Sequence, residues 1–166
     1  MSQLNSSWVL WYHDIKNNDW TINSYINIME FNSVEDFWKL YLNINEELII
    51  NGMFFLMRKD ILPIWEHEKN INGGFWSFKI PMNQIFNAWQ EISMALIGEY
   101  ILNDKNDIDS INGISISPKK NFSIIKIWNN GNIKEINNNT LNKKILLFNT
   151  DEAIYKLHLE NEKLNI

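Results

Sequence analysis

Trp65 is followed at once by an acid, Glu66, inside LPIWEHEKNINGGFW, a fifteen-residue stretch that also holds a proline, a glycine pair and a second tryptophan. A carboxylate accepts two hydrogen bonds in one plane, which is what the N1–H and exocyclic amino edge of guanine offers. An indole face attracts a flat π-system, and a cationic one more strongly, by about 2 kcal/mol or more when desolvated. A guanine methylated at N7 is both a flat cation and a guanine edge, and a backbone amide beside the tryptophan would supply the donor to O6. Taken alone, the same two residues read as a core tryptophan followed by a surface acid.

The elements that must position this pair are legible in part. WVLWY (Trp8 to Tyr12) and MFFLMR (Met53 to Arg58) read as strands, with weaker strands over Trp76 to Ile80, Gly113 to Ser117 and Ser123 to Trp128. In the last, Ile125 and Ile127 form the better core face, which turns Lys126 and Trp128 the other way. Ser33 caps a helix over VEDFWKLYLNI, with Glu35 and Asp36 in the first turn, where acids suit the free backbone donors. That helix has two apolar stripes, so Trp38 is expected to be partly exposed. A second helix is expected from Asn83 to Leu102, with Ile85, Trp89, Ile92, Leu96 and Tyr100 as its stripe, and a third from near Thr150, carrying Ala153, Ile154, Leu157 and Leu164. Strands and helices without a regular alternation favour an α+β fold on a mostly antiparallel sheet. Gly73-Gly74 is a turn signal, and the Asn137-Asn138-Asn139 run a loop.

Composition narrows the function classes. At 166 residues the chain is one domain's worth, expected to bury roughly 70% of the surface of its unfolded form. No apolar run is long enough to span a bilayer, and MSQLNSS is not a signal peptide, so a cytoplasmic protein is expected. With no cysteine and three scattered histidines, neither a thiolate centre nor a metal site is expected, and no cofactor. The net charge of -5 disfavours indiscriminate binding along a nucleic-acid backbone. Residues 113 to 150 nevertheless carry +5, against -8 over residues 1 to 112, which is compatible with a local anion site or a solvated lysine face. His13 and Asp14 are adjacent, but no nucleophile accompanies them, and the pair reads as a surface feature.

The chain resembles the translation initiation factor 4E family, the cytoplasmic cap-binding proteins, over about 120 residues. The likeness is carried by WVLWY, the Asp19-Trp20 pair, VEDFWKLY (Val34 to Tyr41), Ile61 to Trp76 with IWEHEKN and GGFW, WQEISMALIGE (Trp89 to Glu99) and KIW ending at Trp128. All eight tryptophans fall at the spacings where that family places tryptophans. The resemblance implies a curved, mostly antiparallel sheet with about three helices on its convex face and the site on the concave face. It implies that Trp20 and Trp65 sandwich the 7-methylguanosine base of capped mRNA, that Glu66 pairs its edge and that Trp128 lies against the methyl group.

For the phosphates the resemblance points to Lys119, where the family has an arginine; the next two lysine positions are Asn121 and Ile124, leaving Lys120 and Lys126 as substitutes. Phe75 stands where the family has another arginine. Val34, Trp38, Glu91 and Gly98 match positions that receive a helical peptide from the initiation factor 4G scaffold or from 4E-binding repressors, with Gln90 in place of an apolar residue and Ser2-Gln3 in place of a His-Pro element. Trp8, Trp11, Trp76 and Trp89 are assigned to structure. The expectation is a single domain over residues 1 to 166, a monomer in isolation, that binds caps and is not an enzyme. A cap-binding repressor, and an enzyme acting on nucleotides or glycans, are the alternatives.

Overall fold

The computed structural model describes residues 1–137, 139–145 and 149–164. In chain order its elements are strand β1 (Gln3–His13), strand β2 (Ile26–Ser33), helix α1 (Val34–Asn43), helix α2 (Glu46–Asn51), strand β3 (Met53–Arg58) and strand β4 (Gly74–Pro81). Helix α3 (Ile85–Ile97), strand β5 (Ile111–Pro118), strand β6 (Phe122–Asn129), strand β7 (Ile154–Leu157) and helix α4 (His158–Leu164) follow. The strands form one curved, open sheet in the order β2-β1-β3-β5-β6-β4-β7, antiparallel at every pairing.

Strict alternation along these strands sorts the side chains onto two faces. Trp8, Leu10, Leu56, Trp76, Ile114, Ile116, Ile125 and Ile127 point to one face, where they are buried together with Phe37 and Leu40 of α1, Ile49 of α2 and Trp89 and Ile92 of α3. The other face carries a smaller cluster, Phe55, Met57, Ile61 and Trp128, with Trp11, Tyr25, Met53 and Trp65 against it. α1 to α3 thus cover the larger core, and the second face is left for the site. Ile125 and Ile127 are core and Lys126 and Trp128 face away, as the alternation of the sequence requires.

Helix ends follow local chemistry. The Ser33 hydroxyl accepts the Asp36 amide at 3.2 Å, and Glu35 takes the Ser2 amide on its two oxygens at 2.9 and 3.0 Å, tying the start of β1 to α1. α3 stops at Ile97, five residues short of the expected Leu102. Glu99 adopts a left-handed φ of 59°, and its amide and that of Tyr100 fold back on Leu96 and Ala95, closing the helix. The cost of that φ in a residue with a Cβ is met by side-chain bonds from Ser6 at 3.1 Å and Asn5 at 3.2 Å, with Arg58 at 3.5 Å. Tyr100 is therefore exposed past the helix end and does not join the stripe.

The third helix expected from Thr150 is not formed. Thr150–Glu152 is a single 3-10 turn, Ile154 to Leu157 pair as β7 with β4, and the helix begins only at His158. Tyr155 packs edge-on against Trp76 at 5.1 Å, and the edge of β4 offers hydrogen bonds that a short polar helix cannot match. The side chain of Leu164 and residue Asn138 lie outside the described residues. β2 and α2 carry too few apolar residues to announce themselves: β2 buries only Phe31 and Ser33, and α2 only Ile49.

Candidate functional site

Trp20, Tyr25, Pro63, Ile64, Trp65, Glu66 and Glu162 line a cleft of about 310 Å³ on the side of the sheet away from α1 to α3. Three of the four residues expected at the base, Trp20, Trp65 and Glu66, are therefore brought together, from loops 45 residues apart in sequence. Trp128 forms the adjoining floor: it is 6% exposed, packs edge-on against Phe55 with centroids 6.1 Å apart, and donates its indole N–H to Ser115 at 3.0 Å.

Trp65 and Glu66 sit on a loop locked from below. Asn70 is fully buried and donates from Nδ2 to the carbonyls of Leu62 at 3.0 Å and Ile64 at 2.8 Å. Asn112 at the start of β5, also buried, donates to the Lys69 carbonyl and to Asn70 Oδ1, both at 2.8 Å. Two amides thus absorb the polar backbone that a loop turned toward the sheet would otherwise orphan. Trp65 is half-buried on the second apolar cluster, and the Glu66 carboxylate is exposed to the cleft.

Trp20 is presented differently. It is 50% exposed and lies flat on His13, with centroids 4.2 Å apart and planes 8° from parallel. His13 is fully buried, contrary to its reading as a surface feature, because it closes β1 opposite Met53 and its Nε2 meets the Asp19 carbonyl at 2.8 Å. One face of the indole is thereby taken, and the exposed half of the ring is what borders the cleft. The loop is closed by Asn17 Oδ1 accepting from Asp19 N and Asp19 Oδ1 accepting from Thr21 N, both at 2.8 Å. The Thr21 bonds hold the Asp19 carboxyl below its ordinary value. Tyr25 tilts against His13 at 4.7 Å, and burial, with Glu66 and Asp19 nearby, pushes its phenol up to about 12.

Beyond Trp128 the same face becomes basic. Gly113, Trp128, Phe75 and Lys156 lie opposite one another across β5, β6, β4 and β7, and Ser115, Lys126 and Ser77 form the next row. Lys126 Nζ stands 4.2 Å from the centre of the Phe75 ring. Burial first, then Lys119, lower the pKa of Lys126, Glu162 acting against them and Lys156 with them. Lys119 and Lys120 are exposed at the β5–β6 turn, closed by the Lys119 amide on the Phe122 carbonyl at 2.8 Å. His158, 3% exposed, packs on Trp128 at 4.8 Å and Phe75 at 5.4 Å; burial, and secondarily Lys126, push its imidazole down to about 4.

Gly73-Gly74 is more than a turn signal. A Cβ on Gly73 would meet the Asn129 carbonyl at 1.9 Å and one on Gly74 the Lys156 carbonyl at 2.2 Å, so the pair lets β6 and β7 close on the end of β4.

Of the expected peptide surface, Val34 is half-buried and Trp38 is 39% exposed on α1, edge-on to Phe37 at 5.2 Å. Gln90 and Glu91 are half-buried on α3, and Gly98 is exposed at its end. The Tyr41 hydroxyl of α1 donates to Ser93 of α3, joining the two helices on the face opposite the cleft. His13, Tyr25, Asn70, Asn112, Lys156, His158 and Glu162 were not legible as site residues.

The chain is thus an α+β protein with an antiparallel sheet that holds an aromatic, carboxylate-rimmed cleft on its open face. The family model described as Eukaryotic initiation factor 4E matches residues 3–165, and the chain belongs to that family. The eukaryotic translation initiation factor 4E of Saccharomyces cerevisiae is 34% identical over 139 residues, covering 80% of this chain and 63% of the relative. That of Candida albicans is 31% identical over 165 residues, covering 91% and 76%. The chain thus spans under two thirds of the Saccharomyces cerevisiae relative. The fold matches a Caenorhabditis elegans eIF4E-3 in complex with the 4E-binding protein Mextli and a cap analog, with TM-score 0.79, 22% identity, and 98% and 95% coverage of the two chains. It also matches an Ascaris suum eIF4E-3 in complex with m7G cap, with TM-score 0.79, 24% identity, and 95% and 91% coverage.

Proposed function

We propose that this chain binds the 7-methylguanosine cap of mRNA and thereby recruits the message to translation initiation in the cytoplasm. The observation that carries the reading is the cleft in which Trp20 and Trp65 meet with Glu66 at its rim. The methylated base stacks between the two indoles, and the Glu66 carboxylate accepts from N1–H and the amino group. Trp128 supports the methyl group from the floor. Methylation makes the ring cationic, so the gain over plain guanine comes from the stack. Lys119, Lys120 and Lys126 are the candidates for the phosphates, and Val34, Trp38, Gln90, Glu91 and Gly98 for a helical scaffold or repressor peptide. The complexes with 4E-binding proteins among the structural neighbours support a peptide surface of this kind.

Tryptophan fluorescence titrations with 7-methyl-GTP and GTP test the reading. Strong preference for the methylated nucleotide is expected; equal affinities would sink it. Glu66→Gln should lose about 1.5 to 3 kcal/mol of binding, since a charge-assisted acceptor is replaced by an amide that matches only one of two donors.

A further inference from the structure

We propose that His13 sets the preference of the cleft for a cationic over a neutral ring: it is the back plate of Trp20, and a ligand stacked on the other face of that indole meets its charge. The inference rests on the cap reading for what enters the cleft. Trp20 lies flat on His13, with centroids 4.2 Å apart and planes 8° from parallel, so one indole face is covered and the other borders the cleft. The Asp19 carbonyl can only accept, so the His13 Nε2 that meets it at 2.8 Å carries the hydrogen. Nδ1 is therefore the bare nitrogen of the neutral ring, and it is buried without a hydrogen-bond partner among the described residues. A proton arriving there leaves both the Nε2 bond and the stack in place, so the site changes charge without changing shape.

The groups facing His13 come from several elements. Asp14 follows it on the chain, Tyr25 tilts against it at 4.7 Å ahead of β2, and β3 brings Met53 opposite. Two further acids are near: Asp19 on the Trp20 loop, whose carboxyl is held down first by its Thr21 bonds and last by His13, and Glu66, which acts on Tyr25. An indole attracts a cation through the negative face of its ring, and a neutral His13 leaves that attraction to the ligand alone. With His13 protonated, the same indole has a cation on each face. A ring stacked on the free face lies about 4.5 Å further out, so the two charges are about 9 Å apart with carbon between them, and they repel. Plain guanine is uncharged and escapes that repulsion. A proton on His13 thus lowers affinity for the 7-methylated base and spares the unmethylated one.

The ratio of 7-methyl-GTP to GTP affinity is measured by fluorescence on the full chain from about pH 7 to 5.5, inside the range where histidines change charge. Phosphate ionisation is common to the two ligands and cancels in the ratio. Over that range the ratio should fall about fivefold further in the wild type than in His13→Phe, which keeps an aromatic plate under Trp20 without a titrating nitrogen. Glu66 is present in both proteins, so a fall of equal size in the two assigns the effect to Glu66 and overturns the role of His13. The unmutated chain supplies a second measurement. By linkage, a cationic ligand expels the His13 proton, so at about pH 6 binding of 7-methyl-GTP should release more protons than binding of GTP, read by calorimetry in two buffers of different ionisation enthalpy. Equal release overturns the inference even where His13→Phe fails to fold. A wild type that binds both nucleotides equally at every pH would fell the cap reading and the inference together. A methyl preference that does not move with pH leaves the cap reading standing and removes His13 from it.

Discussion

Trp65 stands on a loop whose carbonyls are taken up by two buried amides, whereas Trp20 stands on a loop whose turns are closed by exposed Asn17 and Asp19 oxygens. The first jaw is continuous with the core through Asn112 on β5. The second meets it at His13, through the ring stack and through Nε2 on the Asp19 carbonyl. Removing a buried amide leaves its carbonyl acceptors dry, while removing an exposed Asn17 or Asp19 oxygen leaves backbone N–H donors to water, so the two jaws should differ in what breaks them.

The largest expected effect follows from the rigid side. Asn112→Ala strips a donor from the Lys69 carbonyl and from Asn70, and should cost about 4 kcal/mol of stability, read from the denaturant midpoint. If the midpoint is unchanged, the loop is held by something other than its amides. Acid should come next. His158 is held neutral in the fold, with its pKa at about 4 against an ordinary 6.5, so the unfolded chain binds the extra proton between those values. Stability is full above about pH 6.5 and declines as pH falls toward 4, by up to about 3 kcal/mol; His158→Gln should flatten that slope. Asp19 runs the same way for the other reason: its carboxylate is favoured in the fold, so the Trp20 loop keeps its brace until pH drops below the ordinary carboxylate value of 3.8.

Single-ring deletions sharpen the comparison. Trp20→Ala and Trp65→Ala should each weaken 7-methyl-GTP binding by about 2 kcal/mol, by loss of one stacking face. Only Trp65→Ala should also move the denaturant midpoint, because Trp65 packs on the second apolar cluster while half of Trp20 faces water. The smallest effect belongs to Asp19→Ala, expected to weaken binding by less than about threefold by loosening a turn, with only a slight fall in midpoint.

These contrasts mirror what was legible in the chain. Met53 to Arg58 was read with the right ends because its run of apolar and β-prone residues is bounded by turn chemistry, and Ser33 marked α1 because a cap is a local event. Trp65 and Glu66 were readable as a pair because they are adjacent. Asn70 and Asn112 were not, since in an asparagine-rich chain nothing local separates an amide that closes a turn from one that crosses 42 residues to bolt a loop. β7 was missed for a related reason: a four-residue strand has no propensity of its own, and it exists because the edge of β4 receives it. His13 was misjudged because its burial depends on Trp20 folding back over it.

β7 pairs only with β4 and ends the sheet, whereas Trp20, Trp65 and Glu66 are braced by β1, β5 and the loop between β3 and β4. Substitutions on β7 leave the other six strands in register, apart from those that would crowd Gly74. On the proposed reading, the base is met by residues held from several sides of the sheet, while β7 is held from one.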